Sequence, residues 1–161
     1  LFLADKTCLL RYGSPIFSDY YRALPYGAVP QRTLDRLNRL STGPKGSDIE
    51  RLGKSLRLEK VKGHPYPVLM AKVRPDLGAL SELELKIIEE VVEKYGRMDF
   101  DALYDLVHPA AWHKAWDARP PKREAVPMFL EDFFEGDPEA KEGSLEHMIE
   151  NFEIRRALSD R

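Results

Sequence analysis

The residues in this chain best suited to metal binding or nucleophilic chemistry are four histidines and one cysteine: His64, His108, His113, His147 and Cys8. Their spacing favours neither chemistry. His108 and His113 stand five apart, on different faces of a helix, whereas two imidazoles sharing a zinc ion on one helix stand four apart. With no CxxC or HxxxH pair, no metal site is expected. Cys8 falls on an apolar helical row and reads as a small buried thiol. A Cys8–His108 nucleophile pair has only the presence of both residues behind it. The phosphate-cradling loops GxxxxGK[ST] and GxGxxG and the GxSxG elbow are absent, so nucleotide and serine-esterase chemistry lack support. Glu82, Glu84, Glu89, Glu90 and Glu93 read as a solvated helix face or a cap. Arg32, Arg36 and Arg39 form a basic ridge with no interleaved aromatic platform, which argues against nucleic acid as a partner. No catalytic residue and no cofactor is expected, and the chain reads as a non-enzyme.

The aromatic residues carry the remaining weight. Tyr12, Tyr20, Tyr21, Tyr26, Trp112 and Trp116 lie near turns and helix ends. Either they close the core where short elements meet, or they offer a docking surface, because Tyr, Trp and Arg dominate interface hot spots. Asp5 is an acid on an otherwise apolar helical row, and a buried acid needs a partner. It is expected to be partly buried and hydrogen-bonded to one of the nearby turns, with Tyr12, Tyr26 and Trp112 around that junction. Asp5, Tyr12, Tyr26 and Trp112 are therefore the candidate partner-binding set.

The elements that must position these residues read as mainly α, with a small antiparallel hairpin, on the α+β borderline. At 161 residues the chain has the size of one domain, and 43% hydrophobic with 32% charged residues suits a soluble globular fold. Residues 1–11 read as a helix stopped by Gly13, and 14–21 as an extended connection with a short strand in it. Pro25–Pro30 reads as a rigid turn, followed by a helix carrying Leu34, Leu37 and Leu40. Residues 41–47 read as a mobile loop. Residues 56–61 and 67–73 read as a hairpin around Lys62-Gly63-His64-Pro65. Ser81-Glu82-Leu83-Glu84 is a capping box, and the helix behind it places Ile87, Ile88, Val91, Val92 and Tyr95 on one apolar stripe. Asp99 caps a helix bearing Phe100, Leu103, Tyr104 and Val107, which His108-Pro109 interrupts. A short helix with Trp112 and Trp116 follows. The final helix is expected from Ser144, burying Leu145, Met148, Ile149 and Phe152, and residues 120–161 read as a C-terminal helical extension.

Charge is polarised. Residues 1–75 hold 14 Lys and Arg against 6 Asp and Glu, and residues 76–161 hold 11 against 21. The halves either neutralise one another on folding or form a basic and an acidic face, one of them steering a charged partner. No run approaches the roughly 18 apolar residues of a membrane span. There is no basic segment leading into an apolar one of the kind that begins a secretory signal, and one cysteine makes no disulfide framework. The expected location is the cytoplasm. The sequence opens on Leu1 with no Met, so residues before it are expected.

Several blocks resemble a known family. Leu3-Ala4-Asp5-Lys6, then Arg11-Tyr12-Gly13-Ser14-Pro15-Ile16-Phe17-Ser18-Asp19, then Tyr26-Gly27-Ala28-Val29-Pro30 are similar to the N-terminal core of the Panacea, or SocA-like antitoxin, domain. Pro75-Asp76-Leu77, Leu80-Ser81-Glu82-Leu83-Glu84, Lys94-Tyr95-Gly96 and His108-Pro109-Ala110-Ala111-Trp112-His113-Lys114-Ala115-Trp116 resemble its C-terminal half. The likeness runs in order over roughly residues 1–117. Ala28 stands where the family usually has proline, and Cys8 where histidine is common. The resemblance implies a mostly helical domain with a small β element and no catalytic constellation. It also implies an antitoxin that neutralises a cognate protein toxin by direct contact. The alternative it carries is a proteolytic adaptor or phage-associated regulatory protein with another client, in which case a protease or chaperone is a further partner. The toxin's identity and the oligomeric state have no motif to mark them.

Overall fold

The first helix, α1 (Phe2–Tyr12), ends where Gly13 turns left-handed at φ 69°, its N–H closing on the Leu9 carbonyl at 2.8 Å. A glycine is needed there twice over, because a Cβ would also lie 2.5 Å from the Ser144 carbonyl oxygen. The computed structural model describes residues 1–43, 46–63 and 67–159, the last five for their backbone only. After α1 come β1 (Tyr21–Leu24), β2 (Gly27–Pro30), α2 (Gln31–Ser41), α3 (Ser47–Ser55), β3 (Leu56–Glu59) and β4 (Val68–Ala71). Then follow α4 (Glu82–Tyr95), α5 (Phe100–Val107), α6 (Ala110–Asp117), β5 (Val126–Pro127) and α7 (Ser144–Ser159), with 3-10 turns at Leu77–Ala79 and Leu130–Phe134. The fold is mainly α with a few strands.

The described chain forms two compact units, Leu1–Pro30 with Leu80–Arg161, and Gln31–Ala79. In the first, β1 and β2 pair antiparallel with Tyr21 opposite Pro30 and Leu24 opposite Gly27. The other edge of β1 takes β5, with Ala23 opposite Val126. The core gathers Phe2, Leu9 and Leu10 of α1, Tyr21 and Ala23 of β1, Trp112 of α6, Val126, Met128, Phe133 and Met148. Residues after 120 thus supply a strand and four core side chains to this unit. They are also tied to α1 by the Lys141 N–H on the Leu10 carbonyl at 3.0 Å and by Lys6–Asp137 at 2.6 Å.

Side-chain caps start two of the helices in this unit, α4 and α5. The Ser81 hydroxyl accepts from the Glu84 N–H at 3.3 Å while the Ser81 N–H donates to the Glu84 carboxylate at 2.7 Å. Asp99 accepts from the Ala102 N–H at 2.9 Å. The apolar stripes are only partly covered. Ile87 and Met148 are buried, but Val92, Phe100, Tyr104, Ile149 and Phe152 are exposed, against the expectation of a stripe buried along its length. Spacing says which side chains share a face, and only the tertiary packing says what covers it.

In the second unit, α2 keeps Leu34, Leu37 and Leu40 half-buried, and β3 pairs antiparallel with β4 from Leu56 opposite Ala71 to Glu59 opposite Val68. This is the expected hairpin; His64 and Pro65 of its turn, and Pro44 and Lys45 of the 41–47 loop, lie outside the described residues. α3, whose Ile49 is fully buried, has no counterpart among the elements expected from sequence. The β1–β2 hairpin stands where a rigid turn is expected. The basic surplus of the N-terminal half belongs to this second unit: residues 31–79 hold 11 Lys and Arg against 5 Asp and Glu, leaving 14 against 22 in the first.

Candidate partner-binding site

Asp5 is built into the core, with only 2% of its surface exposed. Its carboxylate accepts from the Phe17 N–H at 2.7 Å and from the Tyr21 hydroxyl at 2.8 Å. Burial pushes its carboxyl above the ordinary range, opposed by these two bonds and by the Ile16 N–H. The Phe17 bond holds the 14–20 connection to α1, as expected; within that connection Ser18 is left-handed at φ 51°. The Tyr21 ring packs edge-on to Phe2 at 5.3 Å. The cavity beside Asp5, lined by Phe2, Lys6, Leu9 and Phe133 among others, holds ≈ 10 Å³. That is at most room for one water, so it is no substrate site.

Trp112 is buried too, at 6% exposure, and its indole N–H donates to the Leu24 carbonyl at 3.0 Å. It therefore does not offer a ring face to a partner. Instead it anchors a series of aromatic contacts that runs outward along α6 and α5. The Trp112 ring meets His108 at 4.4 Å, and His108 stacks on Tyr104 at 4.0 Å. Tyr104 meets Phe100 edge-on at 6.1 Å, and Phe100 meets Tyr26 at 6.3 Å. In the other direction Trp112 stacks on Trp116 at 5.2 Å, and the Arg119 guanidinium lies 4.0 Å over the Trp116 ring.

The inner end of the series is buried and the outer end is open. Tyr26 is 76% exposed, Phe100 50% and Tyr104 46%. Gly27 sets the junction between hairpin and helix: its φ is 115°, and a Cβ there would lie 2.7 Å from a Val107 methyl. His108 Nδ1 lies 2.7 Å from the Tyr104 carbonyl oxygen. A carbonyl only accepts, so Nδ1 carries the proton, and the buried Nε2 has no hydrogen-bond partner.

Of the four residues singled out in sequence, Tyr26 and Trp112 thus belong to one aromatic series and Asp5 to the core beneath α1. Tyr12 ends α1 at 40% exposure, and among the described residues no ring contact joins it to the other three. Phe100 and Tyr104, placed in sequence on the helix that Asp99 caps but not in the candidate set, lie at the surface. The available signal was the acid that follows each of them, Asp101 and Asp105. Cys8 is buried, and its thiol is pushed up to about 11, first by burial and then by Glu84 and Asp5, so it is a protonated thiol at neutral pH. Among the described residues no three His, Cys, Asp or Glu side chains are grouped to hold a metal ion, and no helix is long and apolar enough to cross a membrane.

No curated protein and no solved structure matches the chain. A family model described as antitoxin SocA-like, Panacea domain, matches residues 1–113, from the start of α1 through Trp112. That span holds the Asp5 junction and the whole aromatic series from Tyr26 to Trp112, and on it the chain belongs to the Panacea-domain family of SocA-like antitoxins.

Proposed function

We propose that this protein is an antitoxin that neutralises a protein toxin by binding it directly, in the cytoplasm, without catalysis or cofactor. The observation that carries the reading is the family match over residues 1–113. The exposed outer end of the aromatic series supports it, since a large aromatic surface left open on a folded unit is the usual anatomy of a protein-binding hot spot. Within the candidate set we assign direct contact to Tyr26 and Tyr12. Asp5 and Trp112 act from behind, Asp5 fixing the 14–20 connection and Trp112 fixing the hairpin through Leu24. Residues 1–161 then work as one Panacea-like domain, with 120–161 part of its body.

Co-expression with the product of the adjacent reading frame, with pull-down and cell survival as readouts, tests the reading. Survival with a stable complex is the expected result. A complex formed without protection would instead favour an adaptor or phage-associated regulator delivering a client to a protease. Tyr12→Ala and Tyr26→Ala, each measured for thermal stability and for rescue, locate the contact. Rescue lost at wild-type stability places the interface at that residue. Full rescue by both variants moves it elsewhere.

A further inference from the structure

We propose that the open face formed by Tyr26, Phe100 and Tyr104 takes an arginine-bearing segment of the protein partner, whose guanidinium groups lie against the rings and pair with Asp101 and Asp105. The proposal rests on the reading of the chain as a toxin-binding protein and names the chemistry of what it binds. Phe100 and Tyr104 stand four apart on α5, and Asp101 and Asp105 follow each by one residue, so a row of carboxylates runs beside the row of rings. Both acids are exposed, and among the described residues neither enters a hydrogen bond or ion pair through its side chain.

Asp101 sits in the first turn of α5, where the helix dipole favours it, but two features of the helix leave Asp105 unfavourable. Like charges four residues apart repel, and Asp105 lies in a last turn that contains no base, at the negative end of the helix dipole. A cation delivered from outside relieves both. Arginine answers the whole face better than lysine, because its flat guanidinium stacks on a ring and still presents a fork of donors to a carboxylate. The chain already uses each half of this chemistry. Arg119 lies over Trp116 at 4.0 Å, and Arg11 grips Glu90 with two bonds of 2.8 Å. The unit that carries α5 has 22 acids against 14 bases, which steers a basic partner towards it.

The test uses the full chain and labelled synthetic peptides alternating Leu with Arg, Lys or Glu, read by fluorescence anisotropy at low and moderate salt. The expected order of affinity is Arg, then Lys, with no binding of the Glu peptide. Asp101→Asn combined with Asp105→Asn is expected to weaken the Arg peptide about ten-fold, and Phe100→Ala about five-fold. Glu89→Gln combined with Glu93→Gln removes the same charge from the exposed face of α4 and is expected to change affinity less than about two-fold. Circular dichroism confirms that each variant is folded. Failure of the Arg peptide to bind, equal binding of the Glu peptide, or equal weakening by the α4 pair overturns the proposal. So does concentration-dependent self-association that Phe100→Ala abolishes, since the occupant is then a second copy. Survival assays with the adjacent reading frame separate the two levels. Rescue that persists in the Asp101/Asp105 variant overturns the docking chemistry and leaves the antitoxin reading intact. Peptide results as expected, with no rescue by the wild type, leave the docking chemistry and remove the antitoxin.

Discussion

Helices α1 and α5 each bring carboxylates next to aromatic side chains, and they use them in opposite ways. On α1, Asp5 is buried and surrounded by donors from the following loop and strand. On α5, Asp101 and Asp105 stay in water beside exposed rings. The same residue types therefore hold a fold together in one place and remain available in another. What separates the cases is whether the molecule supplies the partner. A buried acid without donors would cost several kcal/mol, so α1 tolerates Asp5 only because Phe17 and Tyr21 answer it. An exposed acid costs little, so α5 can keep two of them unanswered.

The most severe way to break this comparison is Asp5→Ala, which strips the acceptor from the buried Tyr21 hydroxyl and from the part-buried Phe17 amide. It should cost about 3 kcal/mol in a denaturant titration; a loss under about 1 kcal/mol would put Asp5 on the same footing as Asp101. Gly27→Ala should follow at about 2–3 kcal/mol, because it forces a side chain into a left-handed position and into Val107. A pH series sharpens the α1 side further. Because the folded carboxyl of Asp5 lies above its ordinary range, the unfolded chain ionises first as pH rises. Its contribution is fully present below the ordinary aspartate range and is lost as pH rises through the folded value. Stability of the wild type relative to an Asp5→Asn variant should therefore fall as pH rises above the ordinary aspartate range; a rise would reverse the assignment. On the α5 side, Tyr26→Ala should change stability by no more than about 0.5 kcal/mol. Asp105→Asn should produce the smallest effect and the opposite sign, a slight gain in Tm as an acid leaves the C-terminal turn of the helix.

Much of the molecule was legible in short-range signals. The capping box at Ser81, the Asp99 cap, the Gly13 stop and the Leu56–Ala71 hairpin each depend on residues close together in sequence. The bond from Asp5 to the 14–20 connection was also readable, because burial of an acid demands donors and the nearest backbone supplies them. What the sequence hid depends on distance. β1 and β5 lie far apart along the chain, and the prolines at 25, 30 and 127 disguise the strands as turns. α3 is short and starts directly after Gly46, so its one core side chain, Ile49, gives no periodicity to read. The candidate site was half legible. Tyr26 and Trp112 stand out by lying at turns and helix ends, but Phe100 and Tyr104 fall on an apolar helical row and carry no local mark of exposure beyond the acid that follows each. Only the absence of a covering element distinguishes them.

The Arg22 guanidinium reaches the Ala125 carbonyl at 2.7 Å across 103 residues of chain, and Val126, Met128, Phe133 and Met148 arrive later still to meet α1 and β1. During synthesis the N-terminal helix and hairpin therefore leave the ribosome well before their core partners exist. At an elongation rate of roughly 5–20 residues per second, the wait is about 5–20 s. For that interval Phe2, Leu9, Leu10 and Tyr21 lack Val126, Met128, Phe133 and Met148 of their core, and Asp5 has its local donors. The nascent chain is then a target for chaperones and proteases in a way the finished protein is not. Substitutions that weaken the late-arriving partners, Met148 above all, should lower the yield of folded protein in cells more than their effect on the purified protein's stability would suggest.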